Sequence, residues 1–357
     1  MLNKYSSKII KFLSNRNLEM VSLTSNNKIF VYYLFTLLKR NNIIYNLQKQ
    51  KLTETNELRK LIIDNKYIGG EIREYIINTN FEGIKYNYEN IEIKVFEPNN
   101  SKLININNII TIVKFFIELT NYHKPININI INTNFKKLVP LDSDELTVEN
   151  INSGSTLVKS FINIWRYEEL LKVIIHELIH YLNIDIKDDN VDILNEYIKK
   201  KFRIQYDCNI NEGYTEALAI FINSIWILVK LNLNINNIED VLKYEIGHSF
   251  YQIIKLKNFY KEEDFFDFCL KIDNHTAIFC YYIIKYFLIK NTNIFLELVK
   301  KKIFKKDNNI NIIFIDIISK EIIEGSDFLI NLSKNDSSLN KKQYLQKNLR
   351  MSCWQID

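Results

Sequence analysis

Hydrophobic residues recur along most of this chain at intervals of three and four, and over one short zone at every second position. The first spacing is that of an amphipathic helix, the second that of a half-buried strand. From residue 1 to about 80 the pattern predicts helices with polar joints, at Ser6–Leu13, Lys28–Lys39, Glu57–Asn65 and Glu71–Asn78, with Gly69-Gly70 separating the last two. At Gly83 the texture changes. Ile84 to Tyr88 and Ile91 to Phe96 alternate with period two on either side of Glu89-Asn90, which predicts a β-hairpin. A helix over Ile106 to Tyr122 and a strand over Ile126 to Ile130 follow. Pro98, Pro125 and Pro140, all the prolines of the chain, fall in this zone, as a small sheet with its loops requires.

Thr147 to Val158 reads equally as a short strand or as a loop with a Ser-Gly turn at Ser153-Gly154. Beyond it the helical spacing dominates: Trp165–Asn183, then a polar loop over Asp185–Asn190, then Val191–Phe202, Asn211–Leu231, Ile238–Leu256, Glu262–Ile272, Thr276–Lys290 and Ile294–Lys305. Ile310 to Ile318 fits a strand or a helix. The polar run from Lys334 to Lys342 predicts a loosely held tail, Trp354 notwithstanding. The expectation is an α+β fold, mostly helical, in four blocks. These are a helical N-terminal subdomain (1–80), a central region (81–256) with its sheet at 83–158 and helices at 165–183 and 211–231, a C-terminal helical subdomain (257–333), and the tail (334–357).

Composition narrows the class. At 357 residues the chain can bury a large core. Its net charge of +5 is small, with basic residues interleaved with acidic ones, and by itself argues neither for nor against nucleic acid. No basic stripe interleaved with aromatics stands out, and no nucleic-acid partner is expected. Lys300-Lys301-Lys302 reads as the solvated end of a helix. Cys208, Cys269, Cys280 and Cys353 are scattered without a CxxC pair, which fits a reducing compartment. Met1 to Ser14 carries no continuous apolar core of a signal peptide. No run is long enough to span a bilayer; Ile278 to Ile289 comes nearest and is interrupted by Lys285. The expectation is a soluble, cytoplasmic protein without a membrane partner, its oligomeric state left open.

The chemistry concentrates in Val173-Ile174-Ile175-His176-Glu177-Leu178-Ile179-His180-Tyr181-Leu182, inside a helical stretch free of Gly and Pro. At 3.6 residues per turn, His176 and His180 share a face. Two imidazoles so placed can ligate one zinc ion, and Glu177 can reach a water on it. Leu171, Ile174, Ile175, Leu178 and Leu182 form the apolar stripe that anchors this face to a core. A catalytic zinc takes three protein ligands and keeps one position open. The HExxHxxGxxH pattern is closed, because Asn183 and Ile186 stand where Gly and His would be needed. The better source is Asn211-Glu212-Gly213-Tyr214-Thr215-Glu216. There Asn211 can cap the helix, Glu212 lies in its first turn, Gly213 permits close approach of a facing helix, and Glu216 can orient a ligating imidazole. Glu196 is a rival third ligand, followed by Asp185, Asp188 and Asp189.

His176-Glu177-x-x-His180 followed by Asn211-Glu212-Gly213-x-x-Glu216 resembles the gluzincin metallopeptidases, in particular the aminopeptidase N-like enzymes and the clostridial collagenases. The resemblance covers roughly residues 145 to 256. It implies a zincin-like catalytic domain, Zn²⁺ held by His176, His180 and Glu212, Glu177 as general base and acid, and Glu216 behind the ligands. It also implies that the strand before the metal helix edges the cleft and pairs with an extended peptide or protein substrate. Tyr244-Glu245-Ile246-Gly247-His248 resembles the YExG helix of the aminopeptidases. That likeness implies Tyr244 as oxyanion stabiliser, with His248 and then His275 as alternatives. The aminopeptidase segment that holds a substrate amine finds only an echo in Glu149-Asn150. The alternatives to a peptidase are a non-catalytic zincin-fold scaffold and a zinc hydrolase of a non-peptide substrate.

Overall fold

A computed structural model describes residues 2–52, 56–63, 65–99, 101–141, 143, 145–186, 191–206, 208–262, 264–272, 277–304, 310–323, 345 and 347–356. It is an α+β protein, largely helical, with a mixed sheet. Helices α1 (Lys4–Leu13) and α2 (Ser25–Asn41) come first, α1 capped by the Asn3 side chain, which accepts from the Ser6 amide at 2.8 Å. Strand β1 (Gln48–Leu52) then departs from the all-helical reading of residues 1–80. Its QKQKL sequence carries no apolar alternation, so it is a strand because β2 pairs with it and not because of its own pattern. Helices α3 (Asn56–Ile63) and α4 (Gly70–Asn78) form where the spacing predicts them.

Strands β2 (Phe81–Tyr88) and β3 (Ile91–Pro98) make the expected hairpin, turning through Glu89 at φ 49°. Ile91, Ile93 and Val95 point inward, each no more than 2% exposed. Helix α5 (Ile106–Thr120) supplies the long crossover that a parallel neighbour needs, so β4 (Ile126–Ile131) runs parallel to β3. After the short α6 (Val148–Ile151), β5 (Gly154–Leu157) and β6 (Phe161–Ile164) complete the sheet in the order β1-β2-β3-β4-β6-β5. Of the two readings of Thr147–Val158, the strand holds: β5 is the terminal strand. Helix α7 (Leu170–Tyr181) packs on β5, β6 and α5. A compact unit of Thr36–Lys137 and Thr147–Asn183 contains this sheet.

The second compact unit comprises Met1–Phe35, Leu138–Leu146 and Ile184–Asp357. It contains α8 (Val191–Phe202), α9 (Ile210–Lys230), α10 (Ile238–Tyr260) and α11 (Phe265–Lys271). A π-helical turn over Cys280–Ile284 leads into α12 (Lys285–Lys290), followed by α13 (Thr292–Phe304) and α14 (Ile310–Ile323). The ambiguous run at 310–318 is thus helical.

Two expectations fail in this unit. Helix α9 is long and apolar enough to cross a membrane by length and composition, contrary to the reading that no such run exists. Of its apolar window, 94% is buried inside the protein. The tail read as loosely held also ends in the core. Leu349, Arg350 and Cys353 are fully buried, and α10 with the π turn supplies donors to the segment's carbonyls. Lys255 Nζ reaches Asn348 O at 2.6 Å, Tyr282 Oη reaches Leu349 O at 2.7 Å, and Gln252 Nε2 reaches Arg350 O at 2.6 Å. Among the described residues only isolated bridges, Leu138 with Asn348 and Leu2 with Ile356, pair this segment with other backbone, so its remaining buried carbonyls need such side-chain donors. Residues 324–344 lie outside the described residues.

Candidate metal centre

The start of α7 is set by a buried clamp rather than by helical periodicity from Trp165. Glu169 adopts the left-handed conformation (φ 59°) just before the first helical residue, and its carboxylate pairs with Lys137 Nζ at 3.1 Å, both side chains buried. The Lys137 amide donates to Glu168 Oε2 at 2.7 Å. Arg166 donates to the Asn152 carbonyl at 3.0 Å and to the Glu149 carbonyl, and burial pulls its pKa down to about 10, leaving it cationic at neutral pH. Glu149, the echo of an amine-binding acid, accepts from the Ile72 amide at 3.1 Å.

One turn apart on α7, the His176 and His180 rings meet edge to face, their centroids 4.9 Å apart and their Nε2 atoms 3.2 Å apart. Two nitrogens about 2.05 Å from one tetrahedral zinc ion lie roughly 3.3 Å from each other, so the pair has the separation that shared coordination needs. Glu177, 6% exposed, points to the neighbouring edge strand. Thr156 Oγ1 on β5 donates to Glu177 Oε2 at 2.7 Å. Gly154 on the same strand faces that carboxylate, and a Cβ there would stand 2.6 Å from Glu177 Oε1. Glycine at 154 is therefore a condition of the Glu177 position.

Helix α9 begins at Ile210, with Asn209 before it, so Asn211 does not cap it as expected. Its buried side chain instead accepts from the Ile186 amide at 3.0 Å and donates to Asp185 Oδ2 at 3.0 Å, tying down the loop at Ile184–Ile186. Glu212 in the first turn takes a hydrogen bond from Tyr281 Oη to its Oε2 at 3.0 Å. Gly213 allows the close approach foreseen for it: a Cβ would come within 2.7 Å of Ile284 Cγ2 and 3.1 Å of the Cys280 carbonyl. Burial, the Cys208 thiol and the Glu212 charge push the Cys280 thiol well up, so it stays protonated and is a poor competitor for a cation.

His176, His180 and Glu212 each offer a ligand atom, and these atoms lie within 4.8 Å of one another; the group could hold a metal ion. Two imidazole nitrogens and one carboxylate are a donor set that suits zinc. Among the rival ligands, Glu196 has a side chain 76% exposed and paired with Lys199, and Asp185 is engaged by Asn211. Asp188, Asp189 and His275 lie outside the described residues. Glu216 is 1% exposed, which rules out a surface carboxylate.

The structure gives the expected oxyanion donors other neighbours. Tyr244 stands edge-on to Trp354, ring centroids 5.9 Å apart. His248 is buried, with Nε2 at 3.0 Å from the Arg350 carbonyl, and burial together with Lys255 and Lys285 holds its pKa well below the usual histidine value. It is neutral at pH 7 and engaged with the C-terminal segment. Thr156, Gly154 and Tyr281 are the residues that sequence reasoning missed. Gly154 carried a signal, one of only seven glycines and placed just upstream of the HExxH helix; Tyr281, one of 21 tyrosines, carried none. Compared with family models, with curated proteins and with solved structures, the chain matches none.

Proposed function

We propose that this protein is a zincin-like, zinc-dependent hydrolase of peptide bonds. The observation that carries the reading is the convergence of the ligand atoms of His176, His180 and Glu212 within 4.8 Å, with Glu177 beside them on the same helix. His176, His180 and Glu212 would hold the ion. When bound, zinc polarises a carbonyl and brings the pKa of water towards about 7. The Glu177 carboxylate accepts the proton of the attacking water and returns it to the leaving amine. Thr156 Oγ1 holds Oε2 of that carboxylate in place, and Gly154 leaves room for Oε1. Glu216, buried one turn beyond Glu212, would accept from a ligating imidazole. As the terminal strand of the sheet, β5 offers backbone groups along which an extended peptide can lie. Four buried cysteines without a disulfide fit an intracellular, reducing setting.

The test is metal analysis of the purified protein together with cleavage of a mixed-peptide pool. The wild type should carry one zinc and cut peptides. Glu177→Gln should keep the zinc and lose hydrolysis by at least about a hundredfold, whereas Glu212→Ala and His176→Ala should lose the metal. Full activity in Glu177→Gln would overturn the assigned role. Zinc binding without cleavage would favour a scaffold or a non-peptide substrate.

A further inference from the structure

Tyr281 lies in the π-helical turn Cys280–Ile284, which packs against α9. A π turn inserts one residue into a helix and rotates the side chains that follow, and such turns are frequent at functional sites. Here the turn places the Cys280 carbonyl and Ile284 against Gly213, where only a glycine leaves room for them. The next side chain after Cys280 then reaches back to residue 212, and Tyr281 Oη donates to Glu212 Oε2 at 3.0 Å. Asn209 Nδ2 stands 3.4 Å from the other oxygen, Oε1. A carboxylate free to rotate must be ordered before it can ligate, and a donor on one oxygen removes that cost in advance.

We infer that Tyr281 is a positioning residue for metal binding, its hydroxyl orienting the Glu212 carboxylate toward the imidazole pair. The inference rests on the metal reading of His176, His180 and Glu212. The neighbouring Tyr282 serves as its internal contrast. Its hydroxyl donates to the Leu349 carbonyl at 2.7 Å in the core, so it ties the same turn to the C-terminal segment.

The experiment is competition for zinc between the full chain and a chromophoric chelator, with apo-protein melting in parallel. Tyr281→Phe should weaken zinc binding by about 10- to 100-fold, the range seen when groups behind metal ligands are removed, with little change in the apo melting temperature. Tyr282→Phe should lower the melting temperature and leave zinc affinity within about twofold. Cobalt substitution adds a second readout: the visible spectrum should change in Tyr281→Phe and not in Tyr282→Phe. If the wild type binds zinc and Tyr281→Phe binds it equally well, the positioning role falls and the metal site stands. Equal loss in both variants would make the turn's general integrity the cause and also overturn the role. A wild type that binds no zinc removes both the inference and the reading beneath it.

Discussion

Replacing Gly154 by alanine tests how closely the edge strand is fitted to the proposed general base. The added methyl would stand 2.6 Å from Glu177 Oε1 and 3.0 Å from both Cδ and Cγ, where ordinary contact begins at 3.4 Å. The carboxylate must therefore retreat by about 0.8 Å, and the 2.7 Å bond from Thr156 cannot survive that shift unaltered. A displacement near 1 Å of a reacting group costs up to about a hundredfold in rate, or roughly 2.7 kcal/mol in the barrier. The fold should feel much less. The clashing atoms belong to a side chain that can turn aside, and the lost unfolded-state freedom of glycine returns about 0.4–1 kcal/mol. The assay is kcat/KM on the best-cut peptide, with zinc content and melting temperature measured on the same sample. The expected result is a drop of one to two orders of magnitude in kcat/KM at unchanged zinc stoichiometry and near-unchanged melting. Undiminished kcat/KM would refute the argument, since Glu177 would then have no need of the place that Gly154 leaves open.

Other predictions do not depend on the enzymatic reading. Burial lowers Lys255 to about 7, against about 10.4 in an unfolded chain, so between those values the unfolded state binds more protons and stability rises with pH. The gain from this group approaches about 1.4 kcal/mol per pH unit across that window and vanishes below it. Denaturation of wild type and Lys255→Met at pH 7 and pH 9 should show the rise only in the wild type; parallel profiles would remove Lys255 as its source. Leu349→Ala should cost about 2–5 kcal/mol, as for any leucine deleted from a packed core. A loss near zero in chemical denaturation would mean that the C-terminal segment is held loosely after all.

Periodicity is a local property set by covalent geometry, and what it governs could be read from the chain. The alternation of Ile91, Ile93 and Val95 announces a strand with one buried face, and the four-residue step from His176 to His180 puts two imidazoles on one side of a helix before any partner is known. The Glu212 segment was legible as a candidate for the same reason: a carboxylate in a first turn, followed by a glycine, is a pattern within a few residues. Where the local pattern was silent or divided, packing decided. QKQKL became a strand through β2, the run at 310–318 became a helix, and Glu245, Gln252 and Lys255 drew the C-terminal residues into the core. The helpers of the site belong to this second class. Thr156 stands 21 residues from Glu177, and Tyr281 stands 69 from Glu212. A hydroxyl carries no periodic signature, and its partner is chosen only when distant segments come within hydrogen-bonding reach. Residue types that can hold a cation are therefore visible in one dimension, whereas the hydroxyls that aim them exist as a site only once the chain has folded.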